Sequence, residues 1–217
     1  FSGRRKALLE RLENNSTAII FAASEKTRSA DTEYHFRQNS YFYYLTGFSE
    51  PDAVLVLTKQ DNVTQTVLFN RDKDKQQEIW HGRRLGQSQA LKNFEIDQAL
   101  SINELAEQLP TLINGSETLY SCHGESDFGD KTVTQVVNAL RQGMKQNLKA
   151  PSVQIDLRLI LDDMRLFKQN AEIEVMRQAA KISSDAHSRA MRYSKPNIFE
   201  YQLEAEIMHE FARNGAR

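Results

Sequence analysis

The chain has 217 residues, enough for a substantial core in one or two domains. Its 28 Lys and Arg against 29 Asp and Glu leave a formal net charge of −1, so no global field favours nucleic acid or an anionic membrane. A single cysteine, Cys122, excludes an intrachain disulfide and points to a reducing, cytoplasmic setting, and no apolar run approaches the roughly 20 residues of a membrane helix. The chain opens on Phe1 rather than Met, from which a missing natural start is expected.

Residues 4–12 alternate charged and apolar positions at helical spacing, and Arg4, Arg5 and Lys6 read as the solvated face of that helix. TAIIFAA (17–23) reads as a strand, and residues 24–34 as a polar loop. FRQNSYFYYLTGFSEPDAVLVL then brings five rings together at Tyr41, Phe42, Tyr43, Tyr44 and Phe48. Asn39 and Ser40 form a helix N-cap signal, and Gly47 a stop. Glu50, Pro51 and Asp52 make a turn into AVLVL, a buried strand. Most of the rings are expected in the core, at about 1.5–3 kcal/mol each when fully buried. A ligand-stacking box and a partner surface are the competing readings.

TVLFN (66–70) pairs with that strand across a hairpin at KQDNVTQ. KDKQQEIWHGRRLG begins as a polar helix and ends in a loop carrying Trp80, His81, Arg83 and Arg84. Ser101 and Glu104 have capping-box spacing before SINELAEQLPTLI, which Pro110 is expected to kink or shorten. ETLYSC is a further strand, and residues 130–143 form an amphipathic helix. This alternation predicts a mixed or partly parallel sheet with helices on its faces. From Asp156 onward the pattern is helical, with Asn197 and Glu200 at capping-box spacing before the last helix. A helical pair without a covering layer is the expected opening of a second domain, cut short at Arg217.

No GxG occurs, so neither a dinucleotide fingerprint nor a P-loop is available. His209 and Glu210 begin an HExxH zinc motif, but Arg213 stands where the second histidine is required. Cys122 and His123 are strand neighbours facing opposite ways, and Cys122 reads as a structural thiol. His187 and His209 read as surface or satisfied histidines. No pair of carboxylates is placed to hold a metal, and no complete catalytic site is legible. Trp80, beside His81, Gly82, Arg83 and Arg84, admits two readings. It plugs the edge of the sheet, or it recognises an apolar, ring-like group flanked by a carboxylate.

Taken together, TRSADTEYHFRQNSYFYYLTGFSEPDAVLVL, VLFNRDKD, EIWHGRRLGQ, MRLFKQNAEIEVMRQAAKIS and FEYQLEAEIMHEFARNGAR resemble bacterial Xaa-Pro aminopeptidase, the aminopeptidase P family. The likeness covers essentially the whole chain in order. Pieces of it also occur in prolidases and creatinases, whereas RSAD, YLTGF and EIWHGRRLG in combination are narrower.

The resemblance implies an α/β fold over residues 1–166, with a mixed β-sheet flanked by helices, of the creatinase/aminopeptidase P N-terminal type. It implies that residues 167–217 are the opening helices of an α+β pita-bread metallopeptidase domain. That domain would hold two metal ions, usually Mn2+, on two Asp, one His and two Glu. All five are expected after Arg217, so neither a catalytic residue nor a metal ligand, nor bound Mn2+, is expected in this chain. The implied substrates are peptides with proline in second position, and the implied assembly is a dimer of dimers, with no nucleic-acid or membrane partner. In that assembly the N-terminal domain of one subunit borders a neighbour's active site. Trp80 matches a substrate-wall tryptophan, and Asp31 an acidic member of a polar network. Lys145 stands where the family has an arginine before QNL, without the bidentate fork. A non-catalytic interaction domain and a prolidase are the alternative readings.

Overall fold

A computed structural model describes residues 1–216; Arg217, the last residue of the quoted C-terminal motif and of the expected second domain, lies outside the described residues. Helix α1 (Ser2–Arg11) leads into β1 (Ser16–Phe21). The polar segment that follows is not all loop, because it folds back as a small hairpin, β2 (Thr27–Ser29) and β3 (Thr32–Glu33). Next come α2 (Ser40–Thr46), β4 (Val54–Gln60), β5 (Val63–Asn70), α3 (Lys75–His81), α4 (Gly86–Asn93) and β6 (Gln98–Ser101). After a 3-10 turn, α5 (Leu105–Ile113), β7 (Thr118–Ser121), α6 (Asp127–Gln142) and β8 (Val153–Asp156) complete the sheet. The rest is helical: α7 (Arg158–Leu166), α8 (Asn170–Tyr193) and α9 (Glu200–Arg213). No helix among the described residues is long and apolar enough to cross a membrane.

The main sheet has the order β6-β5-β4-β1-β7-β8. Only β4 runs against its neighbours, antiparallel to β1 and to β5, while the remaining pairs are parallel. The mixed sheet expected from the alternation of elements is therefore present. The β4–β5 turn places Asp61 at φ 49 and Asn62 at φ 63, a left-handed pair that these two residue types tolerate.

Both faces of the central strands are buried. Ile19, Val56, Val67 and Leu119 pack with Leu109 and Ile113 of α5 and Val137 and Leu140 of α6. Alternate residues of the same strands, Ile20, Leu55, Leu57 and Leu68, are equally buried on the other face. There α1 touches β4 and α2 touches β1. Helices on both faces explain why β1 and β4 read as unbroken apolar runs.

The aromatic stretch folds as its caps dictate. Asn39 Oδ1 accepts from the N–H of Tyr41 at 2.9 Å and of Phe42 at 3.0 Å. Gly47, at φ 68, ends the helix, and a Cβ there would stand 2.4 Å from the Phe1 ring. Phe42, Tyr44 and Phe48 are buried, with Phe48 edge-on to Phe42 and to Phe94. Tyr43 is exposed, and the hydroxyl of Tyr41 donates to Asp162 at 2.6 Å. The core reading thus holds for three of the rings.

Other expectations are corrected. Arg5 is not on a solvated face: it is 2% exposed and donates to the carbonyls of Leu45, Phe94 and Glu95 at 2.9, 2.6 and 2.8 Å. Burial pushes its pKa down. Arg4 lies over the Tyr44 ring, 4.2 Å from its centroid, leaving Lys6 as the exposed member of the run. Pro110 sits inside α5, which continues to Ile113. Asn197 does not cap α9; the N–H of Phe199 is taken by Gln202 Oε1 at 2.9 Å.

Contacts divide the chain into two units, with the boundary between Asp163 and Met164. Within the second unit α8 and α9 pair, Arg189 meeting Glu206 and Glu210. Ala186 is fully buried there, while Val175, Met176, Phe199, Tyr201 and Met208 are exposed.

Candidate functional site

Because five of the six strands run the same way, one edge of the sheet collects the C-terminal ends of β1, β5, β6, β7 and β8. In open α/β sheets such an edge is where functional loops gather. The chain leaves it from β1 into the β2–β3 hairpin, and from β5 into α3.

Asp31 lies in the turn of that hairpin, whose strands are exposed throughout. The base of the excursion is stapled by Gln38, which sequence reasoning did not single out. Its Oε1 accepts from the N–H of Ala23 and of Asn39, both at 2.8 Å. Its Nε2 donates to the carbonyls of Glu50 at 2.8 Å and Phe48 at 3.3 Å. A single glutamine in a loop carries no pattern by which to find it.

Trp80 lies on the last turn of α3, not in the loop expected for it. Asp74 starts that helix by accepting from the N–H of Gln76 and Gln77. No residue of α3 is buried, and Ile79 and Trp80 are 75% and 83% exposed. The edge-plug reading is therefore overturned, for the indole covers no core in this chain. The loop after it turns at Gly82 (φ 80) and Gly86 (φ 69), conformations that favour glycine.

Lys145 is held in the 3-10 turn at Gly143–Gln146. Helix α6 starts after the C-terminal end of β7 and returns over 16 residues, about 24 Å, to the start of β8. Lys145 is thus at the opposite edge of the sheet from Asp31 and Trp80. The structure brings the latter two to one edge and separates Lys145 from both.

Cys122 and His123 follow β7 and form no dyad. His123 Nε2 is 3.2 Å from Ser121 Oγ, and its Nδ1 is 3.8 Å from Asp130. Burial, with Glu125 nearby, pushes the Cys122 thiol up to about 12, so it stays protonated near neutrality. Arg158 Nε, 2.9 Å from both carboxylate oxygens of Asp156, holds that carboxyl below its usual range. Its Nη2 donates to the carbonyl of His123 at 2.8 Å, tying β8 to the loop after β7.

Among the described residues no three or more His, Cys, Asp or Glu are grouped so as to hold a metal ion. His187 and His209 are exposed on α8 and α9. The residues present do not fit a two-metal centre, and no hydrolytic step is derived from them. A groove of about 340 Å³ between α5 and α6 is lined by residues such as Ala106, Pro110, Phe128 and Ala139, with no titratable group.

The family described as Aminopeptidase P, N-terminal domain, matches residues 1–120, and Metallopeptidase family M24 matches residues 174–217. Xaa-Pro aminopeptidase of Escherichia coli strain K12 is 50% identical over 218 aligned residues, covering 100% of this chain and 49% of the relative. Xaa-Pro aminopeptidase of Haemophilus influenzae is 38% identical, covering 100% and 48%. The chain thus spans about half the length of these relatives. Zn-substituted E. coli aminopeptidase P in complex with product superposes with a TM-score of 0.97 at 50% identity, over 99% of this chain and 49% of that one. Proline aminopeptidase P II from Yersinia pestis gives 0.97 at 51% identity, over 99% and 50%. With the Aminopeptidase P N-terminal domain matched over more than half of this chain, and the fold shared at a TM-score of 0.97, the chain belongs to the aminopeptidase P family.

Proposed function

We propose that this chain is part of a metal-dependent aminopeptidase that releases an N-terminal residue linked to proline. The observation that carries the reading is collinear identity of 50% through both units with an Xaa-Pro aminopeptidase. In this reading two Mn2+ ions are held by residues outside the chain, the enzyme works in the cytoplasm, and the first unit serves assembly as a dimer of dimers. Trp80 and Asp31 border the active site of a neighbouring subunit.

One feature supports a role for Trp80 at a contact surface: an indole 83% exposed, on a helix with no buried residue, covers nothing within the described residues and is left to meet a further surface.

The roles separate kinetically. A flat apolar ring contacts proline in ground and transition states alike, so Trp80→Ala raises KM and leaves kcat nearly unchanged. A charged group ordering polar partners near the reacting carbonyl acts on kcat, so Asp31→Ala lowers it. The test is complementation in the enzyme that contains this chain. A metal-ligand variant is mixed with a Trp80→Ala/Asp31→Ala variant, using Xaa-Pro tripeptides and dipeptides. Recovered tripeptide activity in mixed oligomers supports the reading. Mixed oligomers without activity overturn the cross-subunit roles, and cleavage of dipeptides alone favours a prolidase.

A further inference from the structure

Helix α3 has no apolar anchor, yet its exposed tryptophan needs a defined position if it is to form a wall for a substrate. A network of polar contacts beneath it supplies one. Glu50, in the turn before β4, accepts the backbone N–H of Leu85 at Oε1, 2.6 Å away. Its Oε2 faces the Arg71 guanidinium at 3.7 Å, and the two side chains are only 16% and 12% exposed. Glu78 of α3 accepts the N–H of Arg84 at 3.2 Å, and Arg84 donates to the carbonyl of Asp72 at 3.4 Å. Gln87 donates to the carbonyl of Asn70 at 3.0 Å, closing the segment onto the end of β5.

Both ends of the excursion that carries Trp80 therefore converge on one carboxylate. Arg71 precedes α3 and Leu85 follows it, and Glu50 binds the first by charge and the second by a short hydrogen bond. Gly82 and Gly86 flank the returning residues, both at positive φ that favours glycine. Glu50 itself is fixed from behind, since its carbonyl accepts from Gln38. The bond from Leu85 to Oε1 is the directional part of this tie, because charged acceptors form the stronger hydrogen bonds. Arg71 is drawn to Oε2 by charge alone, and Oε2 accepts no hydrogen bond among the described residues.

We infer that Glu50 is the positioning residue for Trp80: it clamps residues 71 and 85 together and so holds α3 in place at the sheet edge. This rests on the substrate-wall reading of Trp80 only for its catalytic consequence, and the clamp can be tested without it.

Trp80 is the only tryptophan in the 217-residue chain, so its fluorescence reports α3 alone. Glu50→Ala should increase the fast component of its anisotropy decay. It should also speed hydrogen exchange of residues 78–86 by about tenfold, while β1 and β7 keep their protection. Glu50→Gln, which keeps an acceptor for Leu85 but not the charge, should recover part of both effects. Unchanged anisotropy and exchange at 78–86, or equal loss in every strand, overturns the clamp. In the enzyme containing this chain, Glu50→Ala should raise KM and add little to Trp80→Ala. A loosened α3 with unaltered KM leaves the clamp standing and overturns the substrate role of Trp80.

Discussion

Arg5 donates from Nη1 to the carbonyl of Leu45 at 2.9 Å, across 40 residues of sequence. Leu45 is in the last turn of α2, where carbonyls lack helical partners and a cation is favoured. The same guanidinium closes the carbonyls of Phe94 and Glu95 through Nη2. Arg5→Ala leaves three acceptors without that donor and should cost about 3 kcal/mol or more in urea unfolding. Arg5→Lys should recover less than half, because one ammonium cannot reproduce the planar fork.

Phe42 is fully buried and its neighbour Tyr43 is 46% exposed. Phe42→Ala should destabilise by about 3–5 kcal/mol, and Tyr43→Ala by no more than about 0.5. The pair can be compared by denaturant midpoints at equal slope. Similar losses at both positions would contradict this placement of α2.

The Asp156 carboxyl is held below its usual range by hydrogen bonds from Arg158. A depressed folded-state value means the stabilisation is present above the unfolded carboxylate value, near about 3.9, and is lost as pH falls through the folded one. Asp156→Asn should lower stability at pH 7 and flatten the acid limb below about pH 4. The side chain is 34% exposed, so solvent screening keeps the effect small. Denaturant midpoints measured from pH 2.5 to 7 read both changes.

Burial raises the Cys122 thiol to about 12, so little thiolate exists at pH 8. Labelling by a thiol-reactive disulfide should be slower in the native chain than in urea by a factor on the order of 10³. Glu125→Gln should speed the native reaction by removing a neighbouring negative charge. Equal native and unfolded rates would contradict the site's geometry.

The features legible in the sequence are those written locally. Asn39 and Gly47 delimit α2 through contacts within a few residues, and AVLVL declares a buried strand by composition alone. β6 (QALS) and β8 (VQID) went unread because they are four-residue strands at the two ends of the sheet, where little apolar burial is demanded. Their identity as strands comes from pairing with β5 and β7, and that is not local information. Arg5 was misread for a related reason: its acceptors lie 40 and about 90 positions away, while its neighbours suggest a charged surface. At the candidate site, the unusual setting of Trp80 was visible in the sequence. The separation of Lys145 from Asp31 was not, since it depends on the crossover through α6 and hence on strand order. Gln38 and Glu50 were missed because a polar staple has no periodicity.

The position of β1 at the centre of the sheet also bears on how the chain is made. β4 and β5 can cover one side of β1 once the first 70 residues are available, but its other side awaits β7. Thr17 and Ser116, whose hydroxyls meet at 2.8 Å, are 99 residues apart. At translation rates of about 5–20 residues per second, the strand edge STAIIF stays unpaired for some seconds on the ribosome. During that interval its free N–H and C=O groups and its apolar side chains form a template for wrong partners. Slower synthesis through residues 70–118 lengthens that interval, so its expected effect is on the yield of soluble protein and not on the stability of the finished domain.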